Sequence, residues 1–85
     1  MPTELPEDVL RAMYAQHRPA VLAYAEGFTR DRGRAEDIVQ ETFLRAWRHL
    51  PQLLASDRPV RPWLLHVAHR LHRRRPRCPR PARGR

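Results

Sequence analysis

The stretch from residue 33 to residue 49 has an apolar pattern that an α-helix can bury and a strand cannot. Apolar side chains recur there at three- and four-residue intervals and fall on one stripe of a helix. The stripe consists of Ala35, Ile38, Val39, Thr42, Phe43, Ala46, Trp47 and Leu50. We therefore predict an amphipathic helix over 33–49 whose stripe, including Phe43 and Trp47, faces a core.

The segment before it shows the same helical spacing. Apolar residues from Leu10 to Phe28 recur every three or four positions, but Pro19 interrupts them. Proline lacks the amide hydrogen that a helix interior needs and clashes with the preceding turn. The sequence thus predicts either two short helices, about 6–17 and 19–29, or one kinked helix.

Local signals set the remaining boundaries. Asp31 is a suitable N-cap for the helix over 33–49, because its carboxylate can accept from a free amide of the first turn. The segment Pro51–Pro62 holds three prolines and is predicted to be a loop. A last helix is expected to start near Pro62, since proline suits a first helical turn. Its predicted inward-facing residues are Val60, Trp63, Leu64, Val67, Ala68 and Leu71.

No stretch alternates with the period of a strand, so the predicted fold class is all-α, a small bundle of three or four helices. The 85 residues suffice for one domain. All 17 basic residues are arginine and nine residues are acidic, giving a net charge of +8. Residues 1–69 hold nine arginines and nine acidic residues, which cancel, whereas residues 70–85 hold eight arginines and no acid. We predict a helical domain over 6–75 and a disordered, basic arginine- and proline-rich tail over 76–85.

Several classes of protein are excluded by the same sequence. No apolar run approaches the roughly 18 residues of a membrane span, and the N-terminus lacks the basic-then-apolar order of a secretory signal. The single cysteine, Cys78, cannot form an internal disulfide. We therefore expect a cytoplasmic protein with no membrane partner.

Catalytic and metal-binding patterns are absent from the sequence. His66, His69 and His72 are spaced by three, but no carboxylate or cysteine joins them at metal-ligand spacing. The scattered glycines form no phosphate-binding loop, and Ser56 has no obvious base. We predict no metal, no cofactor, no small-molecule substrate and no enzymatic activity.

Two polar surfaces are candidates for binding. The first is the stripe opposite the apolar one on the helix over 33–49, where Leu44 lies near the middle of a polar face. It is either a partner surface or a solvated face with one stray leucine, and the residues alone favour the latter. The second surface is on the last helix and leads into the tail. It comprises His66, His69, Arg70, Arg73, Arg74, Arg75 and Arg77. Such a basic run contacts phosphates, but it also occurs in membrane-surface tails and as a solubility feature.

The string Ala35–Arg48, AEDIVQETFLRAWR, resembles region 2 of the extracytoplasmic-function sigma factors of bacterial RNA polymerase. Met13 through Pro19 and Leu22 through Thr29 are similar to the first two helices of that family. Arg61–Ala68, RPWLLHVA, is similar to the start of its promoter-facing helix. The resemblance covers roughly residues 9–71.

The resemblance implies a function for both polar surfaces. The helix over 33–49 would dock on the clamp coiled coil of the β′ subunit of core RNA polymerase. By position, the residues implied in polymerase binding are Asp37, Gln40, Glu41, Leu44, Arg45 and Arg48. The loop before the last helix would capture a flipped base of the promoter −10 element, and the last helix would hold the strand. The residues implied in DNA binding are Ser56, Asp57, Arg58, Arg61, His66, His69, Arg70, Arg73 and Arg74. An anti-sigma factor is a further candidate partner.

Two departures from the family pattern keep alternatives open. After Ala68 the chain lacks the asparagine and aspartate that the family usually carries, and no residues match its second, helix-turn-helix domain. The chain is then a stand-alone region 2, an excised domain or the product of a shifted reading frame. The alternative functions are a generic basic nucleic-acid-binding module and an inactive or regulatory fragment that does not initiate transcription.

Overall fold

The computed structural model describes residues 5–74, and these form four helices. Helix α1 spans Pro6–Thr29, α2 spans Arg32–Arg48, α3 spans Leu50–Ala55 and α4 spans Val60–Arg74. Helices α1, α2 and α4 pack against one another, and α3 lies against α2. The predicted all-α fold class is confirmed. The tail predicted over 76–85 lies outside the described residues.

Helix α1 continues through Pro19, so the alternative of two short helices is wrong. The missing amide of Pro19 deprives the carbonyl of Ala15 of its usual partner, but Ala15 is exposed, so water can hydrate that carbonyl. Met13, on one side of the proline, and Val21, on the other, are both buried in the same core. Burial of one continuous apolar face therefore outweighs the loss of one hydrogen bond.

The turn between α1 and α2 is fixed by local hydrogen bonds. Arg30 ends α1 in the left-handed conformation, with φ 59° and ψ 29°, and its amide donates to the carbonyl of Glu26 over 2.9 Å. Asp31 caps α2 as predicted, because its Oδ1 accepts from the amide of Arg34 over 3.2 Å. Arg32 then contacts two carboxylates, with Nε 3.1 Å from Glu26 and 3.2 Å from Glu36. These contacts join the end of α1 to the start of α2.

The prediction of a loop over Pro51–Pro62 is correct only for residues 56–59, because α3 occupies its first part and α4 already begins at Val60. Residues Leu50–Ala55 form the short helix α3, with Pro51 in its first turn, where its missing amide costs nothing. Leu50 is buried against the core, which anchors this turn to the end of α2. The prolines there start helices instead of preventing them, and only residues 56–59 connect α3 to α4.

The core is built from the apolar faces of all four helices. Phe43, Leu64 and Ala68 are buried as predicted, and Trp63 is half-buried. Trp47 was assigned to the core and is instead 42% exposed. The buried apolar residues are Met13, Val21, Leu22, Ala25, Ala35, Ile38, Val39, Phe43, Ala46, Leu50, Leu64 and Ala68. Within residues 5–74, no helix is long and apolar enough to cross a membrane.

Candidate functional site

The outward face of α2 carries the six side chains predicted to bind the polymerase. Leu44 leaves 52% of its surface exposed. Glu41 and Arg45 are half-buried and form an ion pair, with Arg45 Nε 3.4 Å from a carboxylate oxygen of Glu41. The other three are exposed: Asp37, Gln40 and Arg48. An exposed apolar side chain thus lies beside a carboxylate that an arginine on the next turn holds in place.

An apolar groove between α1 and α2 borders Leu44. We call it the α1–α2 groove and define it by its apolar and aromatic lining, which is Leu10, Tyr14, Phe43, Leu44 and Trp47; Glu7, Arg11 and Gln40 lie at its edge. Tyr14 packs edge-on against Phe43, with ring centroids 4.9 Å apart. Sequence reasoning missed this groove because it assigned Trp47 to the core. Trp47 follows Leu44 by three residues, so the spacing alone could have placed both on the outer face.

On its other side, the same α2 face borders α4. Asp37, Glu41 and Arg45 line a shallow depression there together with Leu71 of α4. The acidic part of the α2 face therefore lies toward α4, whereas Leu44 lies toward α1. A partner that contacts both parts must span the width of α2.

The loop between α3 and α4 is ordered by a short-range hydrogen bond. The hydroxyl of Ser56 accepts from the backbone amide of Arg58 over 3.0 Å, which closes a turn of the kind that serine favours. A depression, which we call the loop pocket, lies against this turn. It is lined by Leu53, Ser56, Arg58, Pro59, Pro62, Trp63 and His66.

The loop pocket combines apolar walls with polar groups at its edge. Trp63 and the prolines offer flat apolar surfaces, and Ser56, Arg58 and His66 supply polar atoms. The structure thus brings together three of the residues predicted to bind DNA. It does not bring Asp57 or Arg61 to the pocket, although Asp57 is exposed in the same loop.

Arg61 instead contacts α1. Its Nε donates to Nδ1 of His17 over 3.2 Å, linking two residues 44 positions apart. Because an arginine Nε can only donate, Nδ1 of His17 carries the lone pair and the neutral ring has its proton on Nε2. Burial, and then the charge of Arg61, lower the pKa of His17 below its ordinary value, which favours this neutral form.

The outer face of α4 exposes fewer of the predicted DNA-binding residues than the sequence indicated. His66, Arg70 and Arg73 are exposed. His69 was placed on this face but is half-buried, because its ring packs edge-on against Phe28 at 5.7 Å. The side chain of Arg74 lies outside the described residues. Within residues 5–74, no three acidic, histidine or cysteine side chains come close enough to hold a metal ion.

Comparison with known families decides the identity of this fold. The model of sigma-70 region 2 matches residues 13–78, which is most of the chain. The chain belongs to the sigma-70 region 2 family. This match includes the α2 face, the α1–α2 groove apart from Leu10, the loop pocket and the whole of α4.

Two relatives place this region 2 domain with the extracytoplasmic-function (ECF) sigma factors, as the sequence resemblance predicted. The ECF RNA polymerase sigma factor SigL of Mycobacterium tuberculosis is 43% identical over 63 residues, which cover 74% of this chain and 36% of SigL. The ECF RNA polymerase sigma factor SigM of Bacillus subtilis is 38% identical over 56 residues, which cover 66% of this chain and 33% of SigM. The chain therefore spans about a third of the length of these curated relatives.

Proposed function

We propose that this region 2 domain docks on core RNA polymerase through the α2 face and captures the promoter −10 element with the loop pocket and the outer face of α4. It would act in the cytoplasm, where polymerase and promoter DNA meet. The role is one of binding: it would hold the opened strand, while nucleotidyl transfer belongs to the polymerase. The match to sigma-70 region 2 and the names of the two relatives support this proposal.

The observation that carries polymerase docking is the exposure of Leu44 between the Glu41–Arg45 ion pair and the apolar α1–α2 groove. Leu44 is 52% exposed beside the Glu41–Arg45 ion pair. Protein interfaces usually combine an apolar centre with a polar rim, and Leu44 with its charged neighbours has this composition. Glu41 offers acceptors to basic side chains of the partner, and charge-assisted hydrogen bonds of this kind are strong.

The chemistry of the loop pocket supports capture of a base. Bases stack on flat side chains, and the pocket offers Trp63 and Pro59 for this contact. Ser56, Arg58 and His66 supply groups that can bond the base edge or its phosphate. Flipping a base costs a few kcal/mol of stacking. Phosphate contacts along Arg70 and Arg73, both exposed, are suited to offset part of that cost.

Docking is tested by charge reversal at Glu41. We expect Glu41→Arg to abolish co-purification with bacterial core RNA polymerase, because it removes an acceptor and places a second cation beside Arg45. The helical circular dichroism signal should stay intact. The matched control is Asp8→Arg, since within residues 5–74 the side chain of Asp8 pairs with Arg11 alone, at 3.5 Å, and both are exposed on α1. Unchanged co-purification of Glu41→Arg would contradict the assignment.

DNA capture is tested with the chain bound to core polymerase and a DNA duplex whose −10 element is an open bubble. We expect Arg58→Ala to weaken binding about fivefold, as for the loss of one solvent-exposed hydrogen bond. Arg11→Ala, a highly exposed arginine on α1, is the matched control. Deleting residues 74–85 separates the alternative of a generic basic module, which would lose all binding, from the sigma role, which keeps polymerase docking.

A further inference from the structure

We propose that His17 is a positioning residue for promoter DNA, holding the guanidinium of Arg61 so that its outer nitrogens face the strand. This inference rests on the proposed function, in which the start of α4 contacts the −10 element. The observation behind it is the hydrogen bond from Arg61 Nε to His17 Nδ1 over 3.2 Å. It is a contact between side chains of α1 and α4, and neither helix needs it to form.

The contact uses only one of the three nitrogens of the guanidinium. The Nε atom of Arg61 donates to His17, which leaves the four N–H groups of Nη1 and Nη2 for another acceptor. The fork of an arginine binds a phosphate best when two parallel N–H groups reach two oxygens. A partner at Nε fixes the plane of the fork and so reduces the conformational entropy lost on binding.

A neutral partner suits this purpose better than a carboxylate. An aspartate or glutamate in the place of His17 would form an ion pair and offset the charge that attracts phosphate. Within residues 5–74, no carboxylate lies within ion-pair distance of Arg61. The neutral imidazole orients the guanidinium and leaves its full charge available to the strand.

The neighbouring arginine of α1 is held differently. Arg18 donates from Nε to the hydroxyl of Tyr14 over 2.9 Å and lies 3.9 Å from the carboxylate of Glu36. Arg18 thus belongs to the α1–α2 ion-pair network. Arg61 is exposed and, like Arg58, forms no ion pair within residues 5–74, so its charge is left for a ligand.

Two substitutions of His17, to asparagine and to leucine, have nearly the same shape as each other. Comparing them separates the effect of a hydrogen-bond acceptor from the effect of side-chain shape. In His17→Asn the amide oxygen can occupy the place of Nδ1, because both atoms are the same number of bonds from Cα. In His17→Leu a methyl group occupies that place and cannot accept. Leucine is the better helix former, so helix propensity alone would favour His17→Leu.

The experiment is a double-mutant cycle with Arg61→Ala, measured as the affinity of the chain bound to core polymerase for −10 bubble DNA. We expect Arg61→Ala to weaken binding about fivefold and His17→Leu about threefold, with His17→Asn within about twofold of the wild type. In the Arg61→Ala background, His17→Leu should have no further effect. Polymerase docking without DNA and the melting temperature are measured for every variant.

Each alternative outcome overturns the inference in a different way. If Arg61→Ala leaves DNA binding unchanged, Arg61 does not contact the promoter and this inference is overturned, whereas the DNA part of the proposed function is decided separately by Arg58→Ala in the loop pocket. If Arg61→Ala weakens binding but His17→Leu weakens it equally in both backgrounds, His17 acts through the fold and only this inference is overturned. Equal losses in His17→Asn and His17→Leu would overturn it likewise.

Discussion

The ring of His72 lies 4.5 Å from the ring of Phe28, tilted by 40°, and this contact joins the end of α1 to the end of α4. His69 packs on the same phenylalanine from one helical turn earlier. Burial, followed by the charges of Arg34 and His69, lowers the pKa of His72. His72 is therefore part of the packing between α1 and α4, and the fold favours its neutral form.

The first prediction is that acid destabilises the domain well before its carboxylates titrate. Above pH 6.5 His72 is neutral in both the folded and the unfolded chain. As the pH falls below 6.5, the unfolded chain takes up the proton first, because the pKa in the folded state is lower. His17 contributes in the same direction. The free energy of unfolding should thus fall between pH 7 and pH 5.5, measured as a decreasing melting temperature.

Two substitutions test the origin of this pH dependence. His72→Phe keeps an aromatic ring against Phe28 and removes the titrating group, so the melting temperature should depend less on pH. His17→Asn removes the other histidine whose pKa the fold lowers, so it should also make the melting temperature depend less on pH. Equal slopes in His72→Phe and the wild type would contradict the assignment to His72.

The second prediction concerns the left-handed residue at the end of α1. Arg30 has φ 59°, a conformation that costs a residue with a β-carbon roughly 1 kcal/mol and that glycine adopts freely. Arg30→Gly should therefore raise the free energy of unfolding by about 0.5 kcal/mol. The increase is smaller than the relieved cost because glycine loses more conformational entropy on folding. Arg30→Ala keeps the β-carbon and is the matched control. A lower melting temperature for Arg30→Gly than for Arg30→Ala would refute the argument.

The third prediction concerns the buried hydroxyl of Thr42. This side chain is fully buried in α2, and its Oγ1 has no hydrogen-bond partner within the described residues. Replacing a buried, unpaired polar group by an apolar group of the same shape removes a desolvation cost. Thr42→Val should stabilise the domain by about 1 kcal/mol in chemical denaturation. Thr42→Ser keeps the hydroxyl and loses the methyl group, so it should destabilise.

Helices α2 and α4 could be predicted because their signals are local, whereas α3 was missed. The apolar stripe of α2 and the cap at Asp31 depend on residues within a few positions of one another, so periodicity predicts the stripe and capping chemistry predicts the cap. The error at Trp47 has a different origin. An aromatic residue at the edge of an apolar stripe is buried only if a neighbouring helix covers that edge, and α1 leaves it open. Which edge is covered depends on how the helices pack.

The candidate site divides in the same way. The residues of the α2 face were predictable from spacing and from the resemblance, because all lie on one helix. The different surroundings of the predicted DNA-binding residues could not be predicted. Arg58 lines the loop pocket whereas Arg61 contacts His17 on α1, 44 positions earlier. Similarly, the ring of His69 packs against Phe28 and is therefore half-buried instead of exposed on the outer face. Such long-range partners leave no pattern in one sequence.

The last prediction uses two leucines of almost equal exposure to test the α2 face. Leu44 is 52% exposed on α2 and Leu54 is 55% exposed on α3. Because both side chains are largely in solvent, truncating either should change the melting temperature little. Only Leu44 borders both the Glu41–Arg45 ion pair and the α1–α2 groove. We therefore expect Leu44→Ala to weaken binding to core RNA polymerase about tenfold, the loss typical of an interface anchor, and Leu54→Ala to leave it within twofold. Equal losses in the two variants, measured by titration with labelled chain, would show that docking depends on general surface apolarity and not on the α2 face.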